Sequence, residues 1–251
     1  MNINIHKNRL EQSIIKLQSF IDKKDMSQIT SHILLEATKD RKIILEATDY
    51  EIYLKVVIED IDVIENGKAT FQGKKFLEII KRLKNENINI KLSNSKVNIT
   101  QNRNNFKLSS FNPNEFPKKE FNYSNNQIHI DTQTLFNSLK KISPSIAINN
   151  PKYELNGALI DISTDSIKFV STDTRRLAIV TQTNSENNDA INIIIPKKAI
   201  LEISKIFTGD IVIYYSENDL IIKSEEYIFS TKLLNGDFPE YQRIIPTNTR
   251  Y

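Results

Sequence analysis

The sequence predicts an α+β fold built twice: two similar domains, each made of short strands interrupted by two helices. Three observations predict it. Landmarks of the first half recur in order in the second, at a nearly fixed distance of about 123 residues. Segments with strand-like alternation and segments with a helical apolar stripe follow one another in the same order in both halves. Each half, at about 120 residues, is long enough to bury a core of its own.

The landmarks are these. Ile3, Ile5 and Leu10 recur as Ile128, Ile130 and Leu135, an offset of 125, and Thr48-Asp49 recurs as Thr172-Asp173, an offset of 124. Lys74-Lys75 recurs as Lys197-Lys198, an offset of 123, and Phe116-Pro117 as Phe238-Pro239, an offset of 122. One such landmark alone is common; four in one order with a drift of three residues specify a duplication. The expected domains are therefore residues 1–120 and 128–246, with the polar, turn-rich stretch PKKEFNYSNNQ (117–127) between them.

In chain order, the first helix carries Leu10, Ile14, Leu17 and Ile21 on one stripe. Strands follow in ITSHILLEA (29–37), KIILEATD (42–49) and EIYLKVVIED (51–60). The second helix is KKFLEIIKRL (74–83), with Phe76, Ile80 and Leu83 inward. INIKLSNSKVNITQ (88–101) reads as a hairpin around SNSK, and FKLSSF (106–111) as a further strand. In the second half, Asp131 is placed to cap a helix through Leu135, Leu139 and Ile142 that Pro144 stops. Strands are expected in NGALIDIST, SIKFVSTD, INIIIP, DIVIYYSE, DLIIKSEE and YIFSTKLL, with the fourth helix at KKAILEISKIF (197–207), where Ala199, Ile203 and Ile206 face inward.

Composition narrows the function. With 39% hydrophobic and 26% charged residues the chain reads as soluble and globular, and no apolar run approaches the ~20 residues a bilayer requires. MNINIHKNRL lacks the layout of a signal peptide, so the expected compartment is the cytoplasm, with no membrane partner. There is no cysteine, hence no disulfide framework and no thiolate metal site. None of the five glycines sits in a phosphate-cradling loop. Net charge is only +3, so affinity for a polyanion depends on where the charges sit.

They sit on helix faces. Arg9, Lys16 and Lys23 repeat every seven residues opposite the apolar stripe of the first helix. Lys75 with Arg82, and Lys74 with Lys81, form two rows on the second helix, and Lys198 with Lys205 repeats the first of these rows on the fourth. The third helix offers Lys140 and Lys141. One basic helix face is no more than solubility asks for. The same face on related helices makes a surface suited to phosphate contacts that carry no sequence information. Aromatics that would stack on single-stranded bases are missing from these faces, so duplex is the favoured ligand.

Catalytic signals are poor. His6, His32 and His129 are scattered, and Asp161, Asp165 and Asp173 are better explained by turns, Asp173 fixing the one in TDTRR. No catalytic residue, metal or cofactor is expected. The alternative class, a duplex-binding metal-dependent nuclease, would need carboxylate ligands such as Asp173.

The motifs TDTRRLA (172–178), LNG (155–157) and LLNGDFPEYQRIIP (233–246), with the duplicated layout, resemble the bacterial sliding clamp, the β subunit of DNA polymerase III. The resemblance spans essentially the whole chain. It implies clamp domains in which two helices pack on curved antiparallel sheets, with the helices lining the hole of a ring around duplex DNA. It implies a non-enzymatic processivity factor. Its partners would be the polymerase III core, the clamp loader and repair polymerases, which dock short linear peptides on the second domain. Matched motif by motif, the pocket wall would be Leu155, Thr172, Thr174, Arg175, Leu177, Pro239, Arg243 and Ile244. Leu155, Leu177, Pro239 and Ile244 would supply apolar anchors, and Arg243 would meet polar groups of the peptide. The DNA-facing set would be Arg9, Lys16, Lys23, Lys75, Arg82, Lys141, Lys198 and Lys205.

Two departures stand out. The family has Gly-His where this chain has Thr174-Arg175, which alters the shape and charge of the pocket rim. The family also has three domains closing as a head-to-tail dimer, whereas this sequence stops at Tyr251. The expectation is a fragment whose full-length form is a ring dimer, with a two-domain trimer as the other option. Phe106 and Leu108 match the family's apolar interface edge; as plain strand residues they would face the local core instead.

Overall fold

A computed structural model describes residues 1–24, 28–121, 123, 126–184 and 189–245. Parts of the expected 117–127 linker, and Pro246 to Tyr251 at the end of the last motif, lie outside the described residues.

The first half runs β1 (Asn2–His6), α1 (Lys7–Leu17), β2 (His32–Ala37), β3 (Ile43–Thr48), β4 (Ile52–Ile58), β5 (Asp62–Glu65), β6 (Gly67–Gln72), α2 (Gly73–Arg82), β7 (Asn87–Ser93), β8 (Lys96–Gln101) and β9 (Asn104–Ser109). The second runs β10 (Gln127–Ile128), α3 (Thr132–Ile142), β11 (Gly157–Ile162), β12 (Ser166–Thr172), β13 (Leu177–Thr183), β14 (Ile191–Pro196), α4 (Lys197–Ile206), β15 (Val212–Tyr215), β16 (Asp219–Lys223) and β17 (Tyr227–Lys232). Strand order β4-β3-β2-β6 is matched position for position by β13-β12-β11-β14, and β1-β7-β8-β9 by β10-β15-β16-β17. The duplication read from the landmarks is thus a duplication of topology, and the paired strands are antiparallel, as hairpin turns require.

Contacts divide the chain into two units, Met1–Asn122 with Ile222–Ser230, and Tyr123–Ile221 with Thr231–Tyr251. Residues 222–230, which the sequence places in the second half, therefore group with the first unit. The physical reason is backbone pairing, in which Val57 N donates to Glu226 O at 2.9 Å.

In the first unit the α1 stripe Leu10, Ile14 and Leu17 is fully buried, and so are Phe76 and Ile80 of α2. Each such side chain contributes roughly 1.5–3 kcal/mol on leaving water. Phe76 stacks on Phe71 of β6 with ring centroids 3.9 Å apart. In the second unit Leu135, Leu139 and Ile142 of α3, and Ala199, Ile203 and Ile206 of α4, are the buried counterparts. Asp131 caps α3 as expected, its Oδ2 accepting from Thr134 N at 2.7 Å. The SNSK turn closes β7 to β8 with positive φ at both Asn94 and Ser95, the twist a two-residue hairpin demands.

Five strands among the described residues escape the sequence reading: β1, β5, β6, β13 and the two-residue β10. β1 precedes α1 directly, and its alternating Ile3 and Ile5 were counted only as repeat landmarks. β5 exposes all but Val63, and β6 offers only Ala69 and Phe71 amid polar residues, too little contrast for a period-two signal. β13 opens on four apolar residues in a row, LAIV, which mask its alternation. Helix α1 is also shorter than the stripe suggested: it ends at Leu17, and Ile21 is buried beyond it. No helix among the described residues is long and apolar enough to cross a membrane.

Equivalent positions at the start of β2 and β11 are filled differently. His32 is buried and stacks on Phe111 at 4.1 Å with an interplanar angle of 11°. Burial lowers its pKa from 6.5 to about 4, so the ring stays neutral. Protonation then favours the unfolded chain. The stabilising contribution is complete above pH 6.5 and is lost as pH falls from there toward 4. We expect stability to drop by on the order of 1–2 kcal/mol between about pH 7.5 and pH 5 from this group, and His32→Gln to flatten that part of the urea-unfolding profile. Gly157 occupies the matching place in the second unit, where a Cβ would lie 2.6 Å from Ile195 O and 2.8 Å from Leu234 Cδ1. Backbone oxygen cannot yield as a side chain can. Gly157→Ala should destabilise the protein by about 1–3 kcal/mol, read as a lower urea midpoint.

Candidate partner-peptide and nucleic-acid surfaces

The TDTRR turn is built by its first two side chains. Thr172 Oγ1 donates to Arg176 O at 2.8 Å and accepts from Thr174 N at 3.1 Å. Asp173 Oδ1 accepts from the amides of Arg175 and Arg176, both at 3.0 Å. The Arg175 amide foremost, then that of Arg176, hold the Asp173 carboxyl below the usual carboxylate range. The first unit repeats the device. Thr48 Oγ1 donates to Ile52 O and accepts from Tyr50 N, while Asp49 Oδ1 accepts from the amides of Glu51 and Ile52. Both turns force positive φ on the third residue, 71° at Tyr50 and 76° at Thr174. Asp173 is therefore a turn residue. Asp161 serves Tyr241, whose hydroxyl donates to its Oδ2 at 2.9 Å. No group of three or more His, Asp or Glu side chains is placed to hold a metal ion among the described residues.

The turn delivers Leu177 to the start of β13. There Leu177, Ile179, Leu234 and Phe238, all half-buried, pack on a buried cluster of Leu159, Val170, Ile194 and Tyr241. Burial pushes the Tyr241 hydroxyl up to about 12, with the Asp161 bond adding to the effect. The expected pocket residues fall into three groups around this cluster. Leu177 belongs to it. Leu155, at 1% exposure, is buried, and its carbonyl accepts from Ala147 N at 3.1 Å. Thr172 is likewise buried, its hydroxyl consumed by the turn. Thr174, Arg175, Arg243 and Ile244 are exposed, Pro239 is half-buried, and Arg243 forms an ion pair with Glu240 rather than standing free. Ile179, Leu234, Phe238 and Tyr241 share this cluster with Leu177 and lie outside the expected set. The alternation Leu177-Ile179 and the apolar positions of LLNGDFPEY were the signals for them.

The basic faces are unequal. Lys74, Lys75, Lys81 and Arg82 on α2 and Lys141 on α3 are exposed, and their side chains make no ion pair among the described residues. On α4, Lys198 is exposed, whereas Lys205 pairs with Glu202 at 2.8 Å. The row expected through Arg9, Lys16 and Lys23 does not run along one helix, because α1 stops at Leu17 before reaching Lys23. Arg9 donates to Glu59 O at 2.9 Å and lines a cavity of about 260 Å³ with Glu59, Glu225 and Glu226. Lys16 lies 4.0 Å over the Tyr227 ring; burial lowers its pKa, with Glu226 opposing. In β9, Phe106 and Leu108 are half-buried opposite the fully buried Ile99 and Val97, on the strand that ends its sheet.

Thr174 carries a β-branched side chain in the left-handed region, at about 1–2 kcal/mol. Glycine would remove that strain and lose about 0.5–1 kcal/mol through its freer unfolded chain. Strain wins. Thr174→Gly should raise the unfolding free energy by a few tenths to about 1 kcal/mol, read as a higher urea midpoint at unchanged m, and a fall instead would show that the side chain is held by more than the turn.

Comparison with known proteins places this geometry. The family model for the N-terminal domain of the DNA polymerase III beta subunit matches residues 1–120, and that for its central domain matches residues 129–240. A beta sliding clamp of Helicobacter pylori is 38% identical over 252 residues, covering 98% of this chain and 67% of the relative. The crystal structure of a Helicobacter pylori beta clamp bound to a DNA ligase peptide superposes with a TM-score of 0.90 at 37% identity, over 99% of this chain and 70% of that one. The DNA polymerase III beta subunit of Pseudomonas aeruginosa gives 0.92 at 26% identity, over 99% and 69%. The chain spans about two thirds of the length of these relatives and belongs to the family of DNA polymerase III beta subunits, the beta sliding clamps.

Proposed function

We propose that this protein is a non-catalytic processivity factor of the cytoplasm, which holds the polymerase III core on duplex DNA by encirclement. It receives the polymerase, the clamp loader and repair polymerases through linear peptides on its second unit. The observation that carries the reading is the half-buried apolar set Leu177, Ile179, Leu234 and Phe238 around Tyr241, which leaves hydrophobic area for a partner to cover. Pro239 and Ile244 extend it, Thr174 and Arg175 form a rim without the family's Gly-His, and Arg243 exchanges Glu240 for peptide carboxyls.

Lys75, Arg82 and Lys141, unpaired and exposed, are the main phosphate contacts, with Lys198 and Lys205 supporting them. Many weak contacts of this kind hold a duplex without fixing its register, which sliding requires. Arg9 and Lys16, engaged by Glu59, Glu226 and Tyr227, contribute less, and Lys23 acts from beyond α1. The apolar edge at Phe106 and Leu108 is the ring contact between copies.

The test separates the two surfaces. A short linear peptide of the DNA ligase type, the kind seen on the Helicobacter pylori relative, is titrated alongside duplex DNA at one ionic strength. Leu177→Ala should weaken the peptide by about tenfold or more, the 1.4 kcal/mol typical of truncating an interface anchor, and leave duplex affinity unchanged. Equal loss of both would sink the pocket assignment.

A further inference from the structure

Three of the five glycines follow an asparagine: Asn66-Gly67, Asn156-Gly157 and Asn235-Gly236. With no Cβ on the second residue, the glycine amide nitrogen can reach the preceding side-chain carbonyl. It attacks Cγ, a C–N bond forms, the Cγ–Nδ2 bond breaks, and ammonia leaves with the amide proton. Water then opens the cyclic imide at either carbonyl, giving aspartate or the main-chain-lengthened isoaspartate. The reaction needs no catalyst and no redox partner, only a backbone free to fold back on itself.

Two of the three pairs lack that freedom. Gly67 lies in β6, in register with Ala37. Asn156 has its amide nitrogen on the carbonyls of Asn150 and Tyr153, at 3.0 and 3.2 Å, and its oxygen accepts Asn150 N at 2.8 Å; Gly157 is buried at the head of β11. Asn235 and Gly236 are both exposed, they lie outside any helix or strand, and neither the Asn235 side chain nor the Gly236 amide makes a hydrogen bond among the described residues. Asn66 is exposed as well, but its glycine is held in a strand, whereas Gly236 is not.

We infer that Asn235 is a site of spontaneous deamidation, converted to aspartate and isoaspartate as the folded protein ages. Resting on the peptide-pocket reading, the conversion has a consequence. Leu234 and Phe238 both pack on the half-buried cluster, and isoaspartate inserts one extra main-chain carbon between them. The new carboxylate also joins Asp237 and Glu240, beside Glu154, whose Oε2 lies 3.9 Å from where a Cβ on Gly236 would sit. An aged molecule therefore binds apolar or acidic peptides less well.

Peptide mapping that resolves isoaspartate from aspartate tests this on the folded protein aged at mildly alkaline pH, beside the same chain in denaturant. In denaturant all three pairs should react at similar rates. In the folded protein Asn235 should lead Asn66 and Asn156 by about tenfold or more, since each 1.4 kcal/mol of local opening slows a protected pair tenfold. Asn235→Gln should age without product at that position. The inference is overturned if Asn66 or Asn156 keeps pace in the folded protein, or if Asn235 stays intact while the denatured chain reacts. Ligase-type peptide affinity of the aged protein and of Asn235→Asp is read separately. Unchanged affinity there would overturn the link to the pocket and leave the mapped reaction standing.

Discussion

Each unit rests on one constraint: helices too short to persist in water must bury one stripe against a sheet. The four α-helices among the described residues have 11, 10, 11 and 10 residues, below the ~12–15 at which isolated helices become even marginal. Their stability is therefore tertiary. Leu10, Ile14 and Leu17, or Phe76 and Ile80, supply several times the free energy that propensity withholds, and they do so only while β2, β3 and β6 stand behind them. That demand leaves the opposite face unconstrained by packing. A face with no packing duty is free to carry charge, which is how Lys74, Lys75, Lys81 and Arg82 come to stand together in solvent on α2.

Duplication keeps what backbone geometry demands and lets the remainder drift. The Thr-Asp turn is preserved in both units because it satisfies four backbone groups with two side chains and holds a residue at positive φ. The residue under strain is not preserved: it is Tyr50 in one unit and Thr174 in the other, neither suited to the left-handed region. Filling of equivalent space drifts too. A neutral imidazole under Phe111 in the first unit and a glycine under Leu234 in the second solve the same packing problem at the head of β2 and β11.

The sequence made the duplication, the apolar stripes and the Asp131 cap legible, because each is a local pattern with a fixed spacing. It hid β5 and β6, whose signal is a neighbour's hydrogen bonds rather than their own alternation. It hid the grouping of residues 222–230 with the first unit for the same reason, since pairing with β4 leaves no mark in either segment alone. Of the residues expected in the pocket, Leu177 packs half-buried on the apolar cluster, whereas Leu155 of the neighbouring motif is buried at 1% exposure. Motif resemblance transfers position along the chain. It does not transfer depth, which the packing of Ala147, Leu155 and Gly157 decides.

The same distinction explains why the candidate peptide surface lies where it does. A sheet face fully covered by helices has nothing left to offer a partner, and a bare apolar face would aggregate. β13 sits between these limits. It ends its sheet beyond β12, and every residue from Leu177 to Val180 is half-buried. The segment Leu233–Ile244 covers part of that edge, with Tyr241 fully inserted and anchored on Asp161, and leaves Leu177, Leu234 and Phe238 partly open. Anchoring by one buried aromatic fixes the segment while its flanks stay accessible, so the apolar surface is held in shape before any partner arrives. Preorganisation of this kind lowers the ordering cost of binding, which matters most for short peptides with little area to bury. The loop that achieves it must pass through Asn235 and Gly236, in solvent and with no hydrogen bond to the Asn235 side chain or the Gly236 amide among the described residues, and the exposure that keeps the surface open is what leaves its backbone chemically vulnerable.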